Sequence, residues 1–318
     1  MRKGKDRNPS PDRSKMRLDF NNPFEAEGRW YKGNLHAHTL NSDGHMTAGQ
    51  LASHYYGAGY DFLSITDHGV LTDTQGLSEP GFLMIPGEEI SVGSSWNGRL
   101  IHIVGVNIAE RLPFKDFDAS TNPQEAIDAI VGAGGTAVIA HPHWSDLTHR
   151  DLRGLRGHIG LEVYNSTCDL TIGRGYSSAQ LDALLAQGHR LYSFAVDDTH
   201  GLERPYLPFD ICRAWIIVRA EGLTAECIMG GITEGYFFSS NGPSINDVSI
   251  DGSEIHVSSS PARSIAFISD GARGANNTVD EGVIEEASYI VEGYETYIRI
   301  EVTDWIGRKA WLNPVYVG

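Results

Sequence analysis

Residues 31–44 read YKGNLHAHTLNSDG, an apolar run that ends in two histidines one residue apart and continues into a polar turn. In an extended strand, residues i and i+2 project from the same face, so His36 and His38 can point at one ion. Imidazole nitrogens bind zinc, and the same ligands suit iron or manganese. A histidine pair alone is a weak sign, because surface and core pairs share this spacing. Its value depends on whether similar strand ends recur.

Short apolar runs alternate with helix-like stretches from Trp30 to about Ser240. Thr47 and Asn122, the latter followed by Pro123, are suited to cap the N-termini of two of these helices. The alternation predicts an α/β fold with repeated β-α units around a parallel sheet or barrel. The predicted strands are residues 31–38, 60–67, 81–90, 99–108, 135–141, 159–165, 189–198 and 214–220.

The two ends of the chain have different patterns. Beyond residue 242 apolar and polar residues alternate between Gly, Asp and Asn turns, which predicts a small antiparallel all-β domain over residues 243–318. Residues 1–17 carry seven Lys or Arg and two Asp without an apolar run, so we expect a disordered basic tail and no secretory signal. The α/β domain then spans residues 18–242.

The composition of the chain indicates which partners and which cellular compartment to expect. The net charge of −16, with 41 Asp and Glu against 25 Lys and Arg, would repel a nucleic-acid backbone, so a small-molecule substrate is expected. No apolar run is long enough to cross a membrane. The three cysteines form no C-x-x-C pair, which favours a reduced, cytoplasmic protein. A lid or a contact in a homo-oligomer is the predicted role of the C-terminal β domain.

Acidic residues and histidines stand where most of the predicted strands give way to loops. In a parallel barrel this position is the C-terminal face, where an active site is assembled from several strands. Scattered surface polar residues would not concentrate there, so the sequence predicts a site for several metal ions. The groups are Asp67 and His68, Glu88 and Glu89, His141 and His143, and Asp197, Asp198 and His200, with His102 inside a predicted strand as the exception.

Seven motifs in order resemble those of the polymerase and histidinol phosphatase (PHP) superfamily over roughly residues 30–242. The resemblance implies a distorted (β/α)7 TIM-like barrel with a site for two or three divalent ions, zinc, manganese or iron. The motifs are His36-x-His38-Thr39, Ser42-Asp43-Gly44, Thr66-Asp67-His68, Gly87-Glu88-Glu89-Ile90, Ile101-His102-Ile103-Val104-Gly105, His141-Pro142 and Asp198-x-His200.

The resemblance also implies a set of ligands. Glu88 remains an alternative to Glu89, because strand ends are uncertain by a residue or more. His143 follows His141 on the same face, so it could replace His141, contact the substrate or be a surface loop residue. By resemblance, the first ion takes His36, His38, Glu89 and Asp198, the second takes Glu89, His102 and His141, and the third takes Asp43, His68 and His200.

Longer stretches, such as EGYFFSSNGPSI (234–245), look like the carbaryl-hydrolase-like (CehA/McbA-type) branch of the superfamily. We expect a phosphoesterase in which metal ions generate hydroxide from water, with a carbamate, amide or ester hydrolase as the alternative and a catalytically silent metal-binding scaffold as a third hypothesis. His200 or His143 is predicted to protonate the leaving group, and Asp197 to hold a ligand imidazole. Arg99, Arg174 and Arg204 are the predicted substrate-binding residues.

Overall fold

In the computed structural model, which describes residues 16–202 and 209–318, helices and strands alternate up to about residue 240 and strands follow to the C-terminus. Most of the predicted basic tail lies outside the described residues. Its last two residues are described, and the backbone of Arg17 exchanges hydrogen bonds with that of Gly318. Among the described residues, no helix is long and apolar enough to cross a membrane.

The strands, in chain order, are β1 (Leu18–Asp19), β2 (Arg29–Asn34), β3 (Phe62–Ile65), β4 (Leu83–Val92), β5 (Ile101–Val106), β6 (Thr136–Ile139), β7 (His158–Asn165), β8 (Tyr192–Val196), β9 (Trp215–Ala220), β10 (Phe237–Ser240), β11 (Ile245–Asp251), β12 (Glu254–Ala262), β13 (Ser264–Ile268), β14 (Gly274–Thr278), β15 (Ile284–Ile290), β16 (Tyr297–Thr303), β17 (Lys309–Leu312) and β18 (Val315–Val317). The helices are α1 (Ala48–Gly57), α2 (Pro123–Gly132), α3 (His149–Leu152), α4 (Ser166–Ile172), α5 (Ser178–Leu185) and α6 (Ala225–Thr233).

Side-chain caps begin two helices where the sequence predicts. The Thr47 side chain accepts a hydrogen bond from the backbone of Gln50, whose own side chain closes a capping box before α1. Asn122 caps α2 through the backbone of Gln124, and Pro123 occupies the first helical position. Both predicted N-caps are therefore confirmed.

One hydrogen-bonded row of strands runs in the order β9, β2, β3, β4, β5, β6, β7, β8. The β2–β3, β3–β4, β6–β7 and β7–β8 pairs are parallel, which confirms a mixed α/β fold rich in parallel strands. Strand β5 is antiparallel to both of its neighbours, and β9 is antiparallel to β2, so the prediction of a parallel row is wrong at these two strands. Residues 93–100 between β4 and β5 are too few for the crossover that a parallel pair needs.

The reversed strand explains the position of His102. Because β5 runs antiparallel to β4, its beginning lies at the same edge of the row as the end of β4. His102 is paired in register with Ser91, next to the last residue of β4. A residue near the start of β5 thus reaches the edge at which the parallel strands end.

The segments that follow β2 and β8 also meet at this edge. Ala37 and Thr199 form a parallel bridge, and the backbone N–H of Asp198 donates to the carbonyl oxygen of His36 over 3.0 Å. Buried apolar residues from strands β3 to β6 and β8 to β10 share one core cluster, including Phe62, Val138 and Phe194. Most strands of the row therefore contribute to one apolar core.

The C-terminal strands are antiparallel throughout their pairings. Strands β11, β12 and β15 form a separate sheet, which confirms the predicted C-terminal antiparallel sheet. Strands β13, β14 and β16 to β18 instead continue the main sheet, because β17 pairs with β10 and β10 pairs with β9. The segment beyond residue 242 is thus hydrogen-bonded to the α/β part, and the predicted boundary at residue 243 stays a proposal.

Candidate metal centre

Two imidazoles and two carboxylates converge at the edge where the strands end. His36 and His38 follow β2 on either side of Ala37, which forms a bridge with Thr199, and both rings face the same group of atoms. The Glu89 Oε2 atom lies 3.1 Å from His36 Nε2 and 3.2 Å from His38 Nε2. The Asp198 Oδ1 atom lies 3.2 Å and 3.0 Å from the same two nitrogens. All four side chains are buried.

The donor atoms of this group suit a divalent cation. His36 Nδ1 lies 2.6 Å from Glu162 Oε1, so this carboxylate would hold a proton on Nδ1 and leave Nε2 to face the group when a metal ion is bound. His36 Nε2 and His38 Nε2 are only 3.1 Å apart, and Asp198 Oδ1 is buried without a hydrogen-bond partner. Lone pairs that face one another need a cation between them, and imidazole with carboxylate is a ligand set for zinc, iron or manganese.

Glu89 connects this group to the neighbouring histidines. Its Oε2 atom faces His36 and His38, whereas its Oε1 atom lies 2.8 Å from His102 Nδ1 and 3.4 Å from His141 Nε2. Glu88 alternates to the other side of β4, where its Oε2 atom accepts a hydrogen bond from the backbone of Leu112. The structure therefore brings Glu89, and not Glu88, into the cluster.

A more exposed set lies on the solvent side. His68 Nε2 is 3.9 Å from Asp43 Oδ2, and His200 Nε2 is 3.4 Å from the same oxygen. His38 Nδ1 lies 3.5 Å from Asp43 Oδ1, so His38 stands between the buried and the exposed sets. The nine ligands implied by the resemblance thus lie in one continuous cluster, and their assignment to individual ions stays a proposal.

The charges of the cluster shift its pKa values in opposite directions. Burial disfavours the charged form of the His36 imidazole, but Asp198, Glu162 and Glu89 outweigh it and raise the pKa well above its usual range. Burial likewise acts on His68 and His200, yet neighbouring carboxylates raise both pKa values to about 9. Burial would raise the pKa of Glu89, but the surrounding imidazoles lower it. The cluster therefore favours bound positive charge.

Two predicted ligands have strained backbone. His141 has φ of 26° and Asp198 has φ of 53°, in the left-handed region that residues other than glycine rarely adopt. The His141 N–H donates to Glu162 Oε2 over 2.8 Å, and the Asp198 N–H donates to His36. Such strain persists where surrounding bonds enforce it and is typical of functional sites.

Three carboxylates support the cluster: Glu162 and Asp116 were not predicted from the sequence, whereas Asp67 was predicted only as a member of a strand-end group. Glu162 contacts His36 Nδ1, the His141 N–H and the Asn165 side-chain amide, and so holds two ligands at once. Asp116 Oδ2 lies 3.4 Å from His68 Nδ1, and Asp67 accepts hydrogen bonds from the Thr39 backbone and the Ser42 hydroxyl. Glu162 could have been found as a lone acid in the apolar run GLEVYN, since charged residues are rarely buried without partners.

Asp197 has a different role from the predicted one. Its carboxylate accepts hydrogen bonds from the Tyr55 hydroxyl and from the backbone N–H groups of Cys212, Arg213 and Ala214. Burial raises its pKa to about 7 despite these donors. The prediction that Asp197 holds a ligand imidazole is wrong, because these donors occupy the carboxylate and Glu162 holds His36 instead.

Of the four remaining predicted residues, the structure describes His143, Arg174 and Arg99. His143 is partly exposed two residues after His141, and its backbone N–H donates to the Ser177 hydroxyl. The Arg174 guanidinium pairs with Asp146 at 3.1 Å in the same loop as His143. Arg99 is exposed in the loop between β4 and β5, and Arg204 lies outside the described residues. Substrate binding by these arginines stays a prediction.

Comparison with solved structures identifies the fold. A two-domain protein from Bacteroides vulgatus, described as containing a predicted PHP-like metal-dependent phosphoesterase, superimposes with a TM-score of 0.50. The alignment covers 89% of this chain and 95% of that chain at 16% identity. The chain has a PHP-like fold. A structure from Bifidobacterium adolescentis, described as a putative metal-dependent phosphoesterase, aligns with a TM-score of 0.41 at 17% identity, over 56% of this chain and 90% of that chain.

Sequence comparison gives a shorter match. A curated 5'-3' exoribonuclease from Haemophilus influenzae is 35% identical over 86 residues, which are 26% of this chain and 31% of that protein. The match therefore spans about a third of the exoribonuclease. No protein-family model matches the chain. The PHP-like fold rests on the structural comparison, and the strand-end motifs agree with it.

Proposed function

We propose that this protein is a metal-dependent hydrolase of phosphate esters, acting on phosphodiesters or phosphomonoesters. The observation that carries the proposal is the buried cluster in which Glu89 joins two groups of imidazoles at the strand ends of a PHP-like fold. Nothing in this cluster favours carbamate hydrolysis, and the converging lone pairs argue against a silent scaffold. Assignment to the carbaryl-hydrolase-like branch stays a prediction.

The described residues have distinct proposed roles. His36, His38, Glu89 and Asp198 would hold one divalent ion, His102 and His141 would complete a second site with Glu89, and Asp43, His68 and His200 a third. When bound, such ions supply Lewis acidity and lower the pKa of a coordinated water. Glu162 orients His36 and His141. His143 is the proposed proton donor to the leaving group, because its partly exposed ring belongs to no described cluster.

We also propose how the strands close around the cluster and where the domains divide. The bridge between Ala37 and Thr199 and the shared apolar core support closure of the strand row into a distorted (β/α)7 barrel. Residues 18–242 would then form the catalytic domain and residues 243–318 an appended β domain. A parallel barrel places its active site at the C-terminal ends of its strands, and the ligands other than His102 lie near or after such ends.

Two substrate classes fit the proposed chemistry. The net charge of −16 favours a small phosphate ester over a long nucleic acid. The similarity to a protein named 5'-3' exoribonuclease instead supports a nucleotide phosphodiester. A short oligonucleotide or a nucleotide ester reconciles both, because it presents few backbone charges to the acidic surface.

Reconstitution with single metals tests the proposal. Chelator-treated protein loaded with Zn²⁺, Mn²⁺ or Fe²⁺ is assayed on bis-p-nitrophenyl phosphate, p-nitrophenyl phosphate, a short RNA and 1-naphthyl N-methylcarbamate. We expect metal-dependent turnover of a phosphate ester and little turnover of the carbamate. Turnover of the carbamate alone would reverse the assignment, and full metal occupancy without turnover of any substrate would support the scaffold.

A further inference from the structure

Two exposed aromatic side chains border the metal cluster. The Phe117 ring is 60% exposed and lies 5.0 Å from the His68 ring, between centroids. The Trp144 ring is 41% exposed and lies 4.9 Å from the His141 ring. The His102 imidazole lies between them, 6.4 Å from Phe117 and 5.7 Å from Trp144. An apolar, planar rim thus adjoins three candidate ligands.

The backbone holds Phe117 in an unfavourable conformation. Its φ of 56° is in the left-handed region, where a bulky side chain costs about 1 kcal/mol or more. Asp116 accepts a hydrogen bond from the Ser91 N–H over 2.5 Å, and Asp118 bridges to Val92. Both neighbours of Phe117 are therefore tied to the end of β4. Burial does not offset the cost, because most of the ring faces solvent.

The loop of Trp144 is equally constrained. The Ser145 N–H donates to the His141 carbonyl oxygen over 3.1 Å, and the Ser145 hydroxyl lies 3.0 Å from His141 Nδ1. Asp146 has φ of 56° and pairs with Arg174. Tryptophan is usually well buried, so a tightly turned loop that leaves this ring exposed next to a ligand is unusual.

We propose that Phe117 and Trp144 form an aryl subsite, which binds a planar aromatic group on the part of the phosphate ester that is not the leaving group. This inference rests on the proposed function. Aromatic rings bind such groups by stacking or edge contacts, and rings fixed in constrained loops lose little entropy on binding. The anionic part of the substrate would face the cluster, and its uncharged ring would face the rim. A nucleobase and a phenyl group share the required chemistry.

Three phosphodiesters with one leaving group test the subsite in the metal-loaded full chain. They are methyl p-nitrophenyl phosphate, phenyl p-nitrophenyl phosphate and thymidine 5'-(p-nitrophenyl phosphate). We expect Trp144→Ala and Phe117→Ala each to lower the ratio of aromatic to methyl kcat/KM by about tenfold, the range measured for loss of a stacked base. Trp144→Phe should retain most of the ratio.

Trp305→Ala is the matched control. Trp305 is 44% exposed, and in the hairpin between β16 and β17 it packs against Arg263. Its removal should leave the ratio within about twofold, the scatter of surface substitutions. A ratio that is higher for the thymidine ester than for the phenyl ester identifies a nucleobase as the natural group, and the reverse order identifies an aryl ester.

The outcomes separate the inference from the proposed function. If the wild type hydrolyses the diesters but neither alanine variant changes the ratio, the aryl subsite is refuted and the phosphoesterase assignment stands. If the wild type hydrolyses none of them, calorimetry with phenylphosphonate and methylphosphonate decides. Preferential binding of phenylphosphonate that Trp144→Ala abolishes supports the subsite, whereas equal affinities for the two phosphonates refute it.

Discussion

A comparison of two buried histidines, His36 and His158, shows what a buried histidine needs in order to belong to a metal site. His36 and His158 are both almost completely buried. Glu162, Glu89 and Asp198 surround His36 and raise its pKa despite burial. Neither ring nitrogen of His158 has a hydrogen-bond partner, and burial, together with His189 and Arg156, lowers its pKa to about 4. A buried histidine without carboxylate neighbours is neutral, whereas a histidine buried among carboxylates lies in a site that favours a cation.

The largest effect is expected from removing the carboxylate that joins the cluster. Glu89→Gln replaces one anionic oxygen facing His36 and His38 and leaves a poor ligand, so metal should be released. Turnover should fall by about a thousandfold or more, since metal ions contribute several kcal/mol to such reactions. Elemental analysis and kcat/KM on the best phosphate ester measure the effect.

Glu88→Gln is the control for this experiment, because the adjacent carboxylate contacts Leu112 on the other side of β4. Metal content should be retained in Glu88→Gln. Loss of metal from Glu88→Gln with retention in Glu89→Gln would show that the bridging ligand has been misassigned.

A smaller effect is expected from weakening the support of His36. Glu162→Gln keeps a hydrogen-bonding side chain but removes the negative charge and one of the two oxygens that face His36 Nδ1 and the His141 N–H. Loss of such support lowers metal affinity by about 10- to 100-fold. Competition with a chromophoric chelator measures the affinity. Glu125→Gln, at an exposed site in the first turn of α2, should bind metal as the wild type does.

Affinity in Glu162→Gln equal to that of the wild type would contradict the comparison between His36 and His158. The charge next to His36 would then be unnecessary, and burial with the direct ligands would suffice. Reduced metal affinity together with unchanged thermal stability of the metal-free protein would instead show that Glu162 acts by orienting the ligands His36 and His141.

Much of the site follows from local sequence, because strand ends and short motifs are local features. The H-x-H pair, the acids near the end of β4 and the acids after β8 were predicted from their positions. The reversal of β5 was not, since strand direction depends on the connection around residues 93–100 and on pairing with β6. The role of Asp197 was also missed, because its partners at Tyr55 and residues 212–214 are distant in sequence. Contacts of this kind arise only when the fold is complete.

The smallest expected effect is on the free energy of unfolding, and it comes from replacing His158, the buried histidine without carboxylate partners. The folded pKa of His158 is about 4, below its ordinary 6.5. As pH falls from 7 to 5, the unfolded chain takes up a proton that the folded chain excludes, so the wild type loses stability in this window. His158→Leu removes this loss and no hydrogen bond, since both ring nitrogens lack partners. Relative to the wild type, it should gain about 1 to 2 kcal/mol between pH 7 and pH 5.

Urea unfolding at both pH values, with both proteins in the same metal state, measures this difference. Comparison at equal metal content cancels the pH dependence of the cluster, which the two proteins share. His256→Gln, at a histidine whose side chain is 46% exposed, provides the control and should show no relative gain. A gain in the control equal to that of His158→Leu would mean that removing any histidine has this effect. Such a result would contradict the comparison with His36. That comparison requires that His158 is neutral because it is buried without carboxylate neighbours.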